Sequence, residues 1–365
     1  MRRRYSRSRL RVSFSPSCVL VTGGAGFIGS NYLLKVVPQY PETDFVNLDL
    51  LTYAGNLASL GSIESADNYQ FEKGDVADSE FVSELFRRYD FDAVVHFAAE
   101  SHVDRSILDP SAFVRTNVTG TLALLQACLH AWNDSFENRL FHHISTDEVF
   151  GSLGKTGVFT HDTPYSPRSP YAASKAAADH LVRSFGETYG LPFVLTNTTN
   201  NYGPFQFPEK LIPLVISNAM RGLEIPIYGK GENVRDWIHV EDHCAALDLV
   251  LRRGTEGSTY LIGGSQEVNN LDLVHALLEE LDLQTSRPAG TSKSLIRFVA
   301  DRPGHDFRYA LDSSGTESEL GWAPVHDIQS GLAMTVKWYL ENKAWLAGVR
   351  DESYKEYYSK QYGSR

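Results

Sequence analysis

Residues 18–37 read CVLVTGGAGFIGSNYLLKVV. Val19–Thr22 is a short apolar run typical of a buried strand, and Ile28–Val37 is patterned like a helix. Three glycines in a G-x-x-G-x-x-G spacing lie between them: Gly23, Gly26 and Gly29. Glycines allow a tight turn, through which main-chain N–H groups and the N-terminus of the helix can approach a pyrophosphate. The stretch therefore predicts a strand–turn–helix unit that binds a dinucleotide.

The same alternation of short apolar runs and helical patterns continues through the first half of the chain. The predicted strands are Cys18–Val21, Asp44–Leu48, Tyr69–Lys73, Ala93–Phe97, Leu140–Ser145 and Pro192–Asn197. The predicted helices are Ile28–Val37, Ser79–Arg88, Val114–Ala131 and Tyr171–Tyr189. Alternation of this kind predicts an α/β fold with a Rossmann-type, doubly wound parallel sheet covered by helices on both faces.

Proline and glycine become more frequent from Tyr202 to Pro226, where the alternation ends. A helical pattern at Trp237–Arg253 and a strand pattern at Ser258–Gly263 indicate a return to the first domain. The predicted division is a basic, disordered arm (1–17), a Rossmann domain (18–201, rejoined by 234–263), a smaller mixed α/β carboxyl-terminal lobe that binds the substrate (202–233 and 264–350) and a tail (351–365).

Composition narrows the class of protein. The chain has 365 residues and a formal net charge of −11, which argues against a general nucleic-acid or membrane-surface binder. Residues 1–17 carry six Arg and no acidic residue, a composition that resembles a transit peptide as well as a solvated arm. No apolar run approaches the ~18 residues of a membrane span. The three scattered cysteines predict reduced thiols in a cytoplasmic protein.

Asp49 ends the second predicted strand, 20 residues after Gly29. A carboxylate there can hold the ribose hydroxyls of adenosine, and it repels a 2′-phosphate, so NAD is favoured over NADP. Asp75 and Val76 close the third predicted strand, where contact with the adenine edge is expected. The alternative interpretation of Asp49 is an ordinary turn residue.

Tyr171 and Lys175 form a Tyr-x-x-x-Lys pair one helical turn apart, so both side chains project from one face. A tyrosine hydroxyl, with an ordinary pKa of about 10, is a poor base at neutral pH. A neighbouring ammonium and a cationic nicotinamide favour the phenolate and bring its pKa towards neutrality. The pair therefore predicts proton transfer coupled to hydride transfer, with a surface i,i+4 pair as the alternative.

Asp147 and Glu148 follow the fifth predicted strand. Ligands of parallel sheets bind at the carboxyl ends of the strands, and two neighbouring carboxyls can acquire separate pKa values, one serving as acid and the other as base. An acid and a base beside a hydride-transfer pair indicate dehydration through a transient ketone. The alternative is two solvated turn acids or a helix N-cap.

His239 and His243 have the i,i+4 spacing of metal ligands on a helix. No H-E-x-x-H motif and no obvious third ligand accompany them. We therefore expect structural histidines and no metal.

Longer motifs extend this interpretation: TGGAGFIGS (22–30), LTYAGN (51–56), FAAESHVDRSI (97–107), STDEVFG (145–151) and YAASK (171–175). They resemble the extended short-chain dehydrogenase/reductases and, within that family, the dehydratases of dTDP-glucose. Three stretches of the second lobe agree with the resemblance: NNYGPFQFPEKLIPL (200–214), RDWIHVEDH (235–243) and ADRPGHDFRYALD (300–312). The resemblance covers the chain from Cys18 to about Glu341, and it implies NAD, a nucleotide-sugar substrate and a homodimer.

The resemblance also implies a role for each reactive side chain. Tyr171 would take the C4 hydroxyl proton while hydride passes from C4 to NAD⁺. Lys175 would lower the pKa of Tyr171, and Thr146 would hydrogen-bond the C4 oxygen. Glu148 would then remove the C5 proton as Asp147 protonates the departing C6 hydroxyl. Return of hydride to C6 would leave a 4-keto-6-deoxy sugar.

Binding residues are implied in the same way. The implied cofactor contacts are Gly23, Gly26, Phe27, Ile28, Gly29, Asp49, Thr52, Asp75, Val76, Phe97, Ala98, Ala99, Thr116, Tyr171, Lys175 and Asn201. The implied substrate contacts are Ser101, Thr146, Asn200, Lys210, Leu211, Pro226, Ile227, Tyr228, Arg235, Asn270, Asp301, Arg302 and His305, with Tyr362 as a weaker match. Lys210, Arg235 and Arg302 also suit a diphosphate by charge alone.

Other functions stay open on the same scaffold: a dehydratase of another nucleotide-hexose, a nucleotide-sugar 4-epimerase or decarboxylase, and a non-catalytic NAD-binding regulator. Asp147 and Glu148 argue against an epimerase, which needs no acid and base for elimination at C6. A regulator would be expected to lose some of the reactive residues. Phe150 stands where the family usually has Tyr, and Thr198 stands where Cys is common.

Overall fold

The computed structural model describes residues 14–133 and 135–350, together with Tyr354 and Tyr358. These residues form the strands β1 (Cys18–Thr22), β2 (Asp44–Asp49), β3 (Tyr69–Lys73), β4 (Ala93–His96), β5 (Leu140–Thr146), β6 (Phe193–Thr198), β7 (Asn200–Tyr202), β8 (Ile225–Tyr228), β9 (Val234–His239), β10 (Thr259–Ile262), β11 (Glu267–Asn269) and β12 (Ile296–Val299). Their helices are α1 (Phe27–Gln39), α2 (Ser79–Arg88), α3 (Val103–Leu108), α4 (Pro110–Phe113), α5 (Thr121–Trp132), α6 (Pro170–Tyr189), α7 (Leu211–Met220), α8 (Val240–Arg253), α9 (Asn270–Gln284), α10 (Ser314–Leu320), α11 (Ile328–Glu341) and α12 (Lys343–Gly348).

Seven strands form one parallel sheet in the order β10-β6-β5-β4-β1-β2-β3. The central strand β1 pairs in parallel with β2 on one side and β4 on the other. Because the chain winds outward in both directions from β1, a crevice opens where the carboxyl ends of β1 and β4 diverge. The predicted Rossmann-type doubly wound sheet is confirmed.

Helices cover both faces of this sheet, which explains why its strands are apolar on both faces. On one face α1 and α8 bury Val36 and Val250 against Val21. On the other face α2, α5 and α6 pack around Leu20 in a second cluster of buried side chains. None of the helices among the described residues is both long and apolar enough to span a membrane.

The second lobe has its own core. The strands β8 and β12 pair in parallel, while β9 lies between β7 and β11 in a three-stranded sheet. Helices α7, α9 and α11 supply buried side chains to one apolar cluster, which also includes Tyr354. The second lobe is therefore a mixed α/β unit, as expected from the sequence.

The segment around residue 237 differs from the sequence-based prediction. A helix was expected from Trp237, but strand β9 continues to His239 and α8 begins at Val240. Trp237 packs into the core of the second lobe and Ile238 into the core of the first. An extended backbone, which sends successive side chains to opposite faces, places both side chains in apolar surroundings. Of residues 234–263, α8, β10 and the side chain of Ile238 contribute to the first domain, whereas the backbone of β9 pairs in the three-stranded sheet.

The amino-terminal boundary also differs. Phe14 is buried, its N–H donates to the carbonyl oxygen of Arg252 at 2.8 Å, and Thr43 donates to the carbonyl oxygen of Pro16. Residues 14–17 are therefore part of the Rossmann unit rather than of an arm, because an apolar side chain has a place in the core. Residues 1–13 of the predicted arm, and Tyr362 with most of the predicted tail, lie outside the described residues.

One further boundary shifts within the predicted substrate lobe. Leu320 and Trp322 pack into the core beneath the seven-stranded sheet. Thr316 of α10 donates a hydrogen bond to the carbonyl oxygen of Leu261 in β10. Part of the stretch 264–350 therefore belongs to the first domain.

Candidate active site

A cleft of about 310 Å³ lies at the carboxyl ends of the central strands. Its lining includes all the residues that the sequence resemblance implied as cofactor contacts and all five implied as catalytic. Of the implied substrate contacts, four line the same cleft: Ser101, Thr146, Asn200 and Lys210. Residues that are far apart in the sequence are thus brought to one cavity.

The Gly-rich turn shapes the inner end of the cleft. Gly23 has a φ of +71°, and a Cβ at this position would lie 2.6 Å from the main-chain nitrogen of Ala98. Helix α1 follows with Gly26 at its N-cap, and no side chain caps it. Its first N–H groups therefore border the cleft without a capping side chain, which suits a pyrophosphate.

Asp49 connects the turn to the adjoining loop. One carboxylate oxygen accepts from the N–H of Ala25 at 3.0 Å, and the other accepts from the N–H of Leu51 at 2.8 Å. Burial raises the pKa of Asp49, and these two hydrogen bonds oppose the rise. The carboxylate is thereby fixed at the end of β2, where the ribose hydroxyls of a dinucleotide would lie.

Tyr171 and Lys175 project from the first turns of α6, whose start is fixed by a hydrogen bond from the N–H of Ala172 to Ser169. The ammonium of Lys175 donates to the carbonyl oxygen of Ile144 at 2.7 Å. Burial lowers the pKa of Lys175 to about 8. Burial, followed by the charge of Glu148, raises the pKa of Tyr171, whereas a hydrogen bond with Thr146 opposes that rise. Tyr171 therefore needs added positive charge to act as a base.

The acid and base candidates lie on a short 3₁₀ turn, Asp147–Phe150, at the end of β5. Thr146 accepts a hydrogen bond from the N–H of Glu148 and contacts Asp147, both at 3.2 Å. Burial, with the charge of Glu148, raises the pKa of Asp147 well above its ordinary value. Asp147 is therefore suited to remain protonated as an acid, as the sequence analysis expected.

Glu148 has a different environment. Burial raises its pKa, but the charges of Arg302, Arg235 and Lys210 oppose that rise. All three cations come from the second lobe or from the strand that adjoins it. Glu148 is consequently the member of the pair that is better suited to lose its proton.

These cations are held by other protein groups. Lys210 donates to the carbonyl oxygen of Ser101 at 2.9 Å, and Arg235 lies 4.3 Å from the centre of the Tyr309 ring. Arg302 donates to the carboxylate of Asp104 at 3.2 Å. An acidic protein thus concentrates positive charge beside the acid–base pair, where a diphosphate could bind.

The remaining implied substrate contacts do not line the cleft: Leu211, Pro226, Ile227, Tyr228, Arg235, Asn270, Asp301, Arg302 and His305. The side chain of Ile227 belongs to the apolar core of the second lobe, so only its main chain is available to a ligand. Tyr228 donates to Asp104 at 2.9 Å, and His305 pairs with Asp301 at 2.7 Å. Tyr228 and His305, whose ring centres are 6.1 Å apart, therefore lie beside the ion pair of Asp104 and Arg302.

The histidine pair of the sequence does not converge. His239 accepts the N–H of Glu241 at the start of α8, whereas His243 shares a hydrogen bond with Asn201 at 2.8 Å. His239, Glu241 and His326 do bring potential ligand atoms within 4.8 Å of one another. The ring of His326 packs 4.5 Å from that of His239, centre to centre, and its Nδ1 lies 3.0 Å from a carboxylate oxygen of Asp242. The histidines therefore have structural partners, and no metal is needed to explain their positions.

Comparisons with known proteins place this site in a family. The model of the GDP-mannose 4,6 dehydratase family matches residues 20–335. The dTDP-glucose 4,6-dehydratase of Xanthomonas campestris pv. campestris strain B100 is 53% identical over 341 residues, which are 92% of this chain and 97% of that protein. This chain belongs to the dTDP-glucose 4,6-dehydratase family. The Salmonella typhimurium member is 48% identical, with 95% of this chain and 99% of that protein covered.

Solved structures agree with this membership. The dTDP-glucose 4,6-dehydratase DesIV of Streptomyces venezuelae, solved with NAD bound, has a TM-score of 0.84 at 44% identity and covers 91% of this chain and 99% of that one. A UDP-glucose 4-epimerase of Thermus thermophilus, in complex with NAD, has a TM-score of 0.79 at 28% identity, with 89% and 99% covered. The fold is shared with epimerases, but the sequence is much closer to the dehydratases.

Two departures from the dehydratase pattern have local explanations. Phe150 packs between Phe159 and Tyr165, with ring centres 5.2 and 5.1 Å away, in a small apolar cluster. Thr198 accepts a hydrogen bond from Asn201 at 3.3 Å. Both residues fit their surroundings without taking part in the acid–base geometry.

Sequence reasoning missed several residues of the site. Tyr53, Glu100, Gln206, Phe207 and Glu209 line the cleft. Asp104 holds Arg302, and Asp179 lies one helical turn beyond Lys175. Asp104 falls within the motif FAAESHVDRSI, and Asp179 follows the motif YAASK. An acidic residue on an otherwise buried helix face was the available signal.

Proposed function

We propose that this chain dehydrates dTDP-glucose to dTDP-4-keto-6-deoxyglucose in an NAD-dependent reaction, and is therefore a hydro-lyase. The observation that carries the proposal is the presence of two reactive pairs in one cleft. Tyr171 and Lys175 lie there with Asp147 and Glu148, and Thr146 contacts members of both pairs. An enzyme that only oxidised or epimerised C4 would not need the second pair.

The residues that would hold the cofactor are the Gly-rich turn, Asp49 and the remaining cleft residues that suit a dinucleotide. NAD, when bound, supplies the acceptor for the C4 hydride and the donor that later returns it to C6. Tyr171 takes the C4 hydroxyl proton, and the ammonium of Lys175 favours the phenolate that precedes this transfer. Thr146 orients the C4 oxygen through its hydroxyl.

The 4-ketone acidifies the proton on C5, because the resulting carbanion is stabilised as an enolate. Glu148, ionised beside its three cations, removes that proton. Asp147, kept protonated by burial, delivers a proton to the C6 hydroxyl, which leaves as water. The cations Lys210, Arg235 and Arg302 suit the diphosphate of the substrate.

The proposal includes a cytoplasmic location and a homodimer. The location is supported by the cysteines, all three of which are free thiols. Dimerisation is supported by the exposed apolar side chains of Ile107, Leu108 and Val114, which neighbour one another in sequence.

The test is turnover of dTDP-glucose that carries deuterium at C4, analysed by mass spectrometry and NMR. We expect deuterium at C6 of a 4-keto-6-deoxy product, without net release of NADH. Deuterium retained at an inverted C4 would identify an epimerase and refute the role given to Asp147 and Glu148. Unchanged dTDP-glucose, with turnover of another nucleotide-hexose, would refute the substrate.

A further inference from the structure

Asp179 is a fully buried acidic residue that the reaction described above does not use. It lies on α6, its side chain is 0% exposed, and its Oδ2 accepts from the hydroxyls of Ser145 at 2.9 Å and Tyr165 at 2.8 Å. Its Oδ1 lies 3.1 Å from Nε2 of His143. A buried carboxyl with several donors around it is stable only when its charge is balanced nearby.

The donors indicate that Asp179 is ionised. Burial alone would raise its pKa, but the contact with His143, the charge of Lys175 and the hydrogen bond from Ser145 together set the pKa below its ordinary value. His143 cannot balance the charge at neutral pH, since burial lowers its own pKa to about 4. The buried ammonium of Lys175 lies one helical turn away on the same helix, and its charge is among the causes that lower the pKa of Asp179.

Asp179 and Lys175 also hold the same strand. Lys175 donates to the carbonyl oxygen of Ile144, and Ser145, the next residue of β5, donates to Asp179. Asn197 bridges the carboxylate of Asp179, at 3.4 Å, and the carbonyl oxygen of Thr146, at 3.0 Å. The carboxylate is therefore connected to the strand end from which the acid and base project.

We propose that Asp179 is a positioning residue that keeps the ammonium of Lys175 charged and directed at the end of β5 while Tyr171 exchanges its proton. The kinetic test of this inference depends on the proposed function, whereas the titration of Lys175 does not. Other titratable or charged groups face this pair from every element around it: His96 on β4, His143 on β5, Tyr165 on the preceding loop, and Tyr171 and Arg183 on α6. None of these groups is a carboxylate, and the charge of Asp179 is what opposes the effect of burial on the pKa of Lys175.

The sign of the effect follows from the charges. Removing an anion beside a buried cation destabilises the protonated cation, so the pKa of Lys175 must fall below its value of about 8. In the holoenzyme of Asp179→Asn, we expect the alkaline limb of the kcat/KM profile to move to lower pH by at least about one pH unit. Tyr165→Phe is the matched control, because it removes one hydrogen bond to the same carboxylate but leaves the charge. Its alkaline limb should stay within about 0.3 pH unit of the parent's.

A direct titration separates this inference from the proposed function. The ¹³Cε resonance of Lys175 in holoenzyme, assigned by its absence in Lys175→Met, reports protonation without any turnover. We expect its midpoint to fall in Asp179→Asn and in Asp179→Ser, the second variant being included in case the asparagine amide clashes with the surrounding donors. An unmoved midpoint in a folded variant, or a uniform loss of rate with an unchanged pH profile, would overturn the proposal. Failure of the parent to turn over dTDP-glucose would instead overturn the proposed function.

Discussion

Asp104 offers the sharpest test of how the second lobe is fixed against the first. It is 5% exposed on α3, and its two carboxylate oxygens accept from Arg302 at 3.2 Å and from the hydroxyl of Tyr228 at 2.9 Å. Both partners belong to the second lobe, so one buried carboxylate determines where the guanidinium of Arg302 lies. In Asp104→Asn the charge-assisted hydrogen bond to Arg302, worth about 1.5–3 kcal/mol, is lost.

Without this hydrogen bond, the guanidinium of Arg302 is no longer held in position for the diphosphate in the ligand-free enzyme. At about 1.4 kcal/mol for each factor of ten, binding of dTDP should weaken about 10- to 100-fold. The assay is calorimetric titration of holoenzyme with dTDP and with dTMP. The weakening should be larger for dTDP, because dTMP lacks the terminal phosphate. NAD content should not change.

Tyr228→Phe is the matched control, since it removes one partner of Asp104 and leaves the ion pair with Arg302. Its affinity for dTDP should stay within about threefold of the parent's, because the carboxylate of Asp104 and its ion pair with Arg302 are both kept. Equal weakening of dTDP and dTMP in Asp104→Asn would show that Asp104 acts on the fold as a whole. Unchanged dTDP binding would refute the reasoning entirely.

Three further predictions concern the base, the glycine turn and the amino-terminal boundary. Glu148→Gln should still oxidise C4, so enzyme-bound NADH should accumulate and be detected by its absorbance. Exchange of the C5 proton and turnover should fall about 10²- to 10⁴-fold. Turnover at the parent's rate would exclude Glu148 as the base. Gly23→Ala should lower the free energy of unfolding by about 1–3 kcal/mol and reduce NAD retention. Residue 23 has a φ of +71°, and the added Cβ would lie 2.6 Å from the main-chain nitrogen of Ala98. Full cofactor occupancy after gel filtration would contradict this. Phe14→Ala should lower the free energy of unfolding, measured with denaturant, by about 3–5 kcal/mol without changing kcat, since Phe14 is 3% exposed in the core. A loss below about 1 kcal/mol would mean that residues 14–17 do not contribute to the fold.

The parts of the fold that follow from local pattern could be predicted from the sequence. Tyr69–Lys73 and Ser79–Arg88 have the predicted bounds, because their periodicity and turn residues agree with the tertiary structure. The start of α8 could not be predicted, since the choice at Trp237 depends on two cores built by distant residues. Local composition predicts an arm that includes Phe14, because the basic residues before it dominate that stretch.

The same distinction applies to the candidate site. The cofactor residues cluster in short motifs whose chemistry is local, and all of them line the cleft. Asp104 contacts Arg302, 198 residues away, and Asp179 contacts Ser145, 34 residues away. No local sequence motif therefore indicates either acid. Pairing of this kind is set by the topology of the sheet and by the docking of the second lobe.

The separate roles of Asp147 and Glu148 cannot be a property of the β5 turn alone. Burial raises the pKa of both carboxyls, and only Glu148 has three cations that oppose the rise. Those cations come from the second lobe or its margin, and they are the groups that suit the substrate's diphosphate. A bound diphosphate would offset part of their charge, so the pKa of Glu148 would rise when substrate is present. A carboxylate with a higher pKa is a stronger base, and Glu148 would therefore be most basic when the sugar occupies the site.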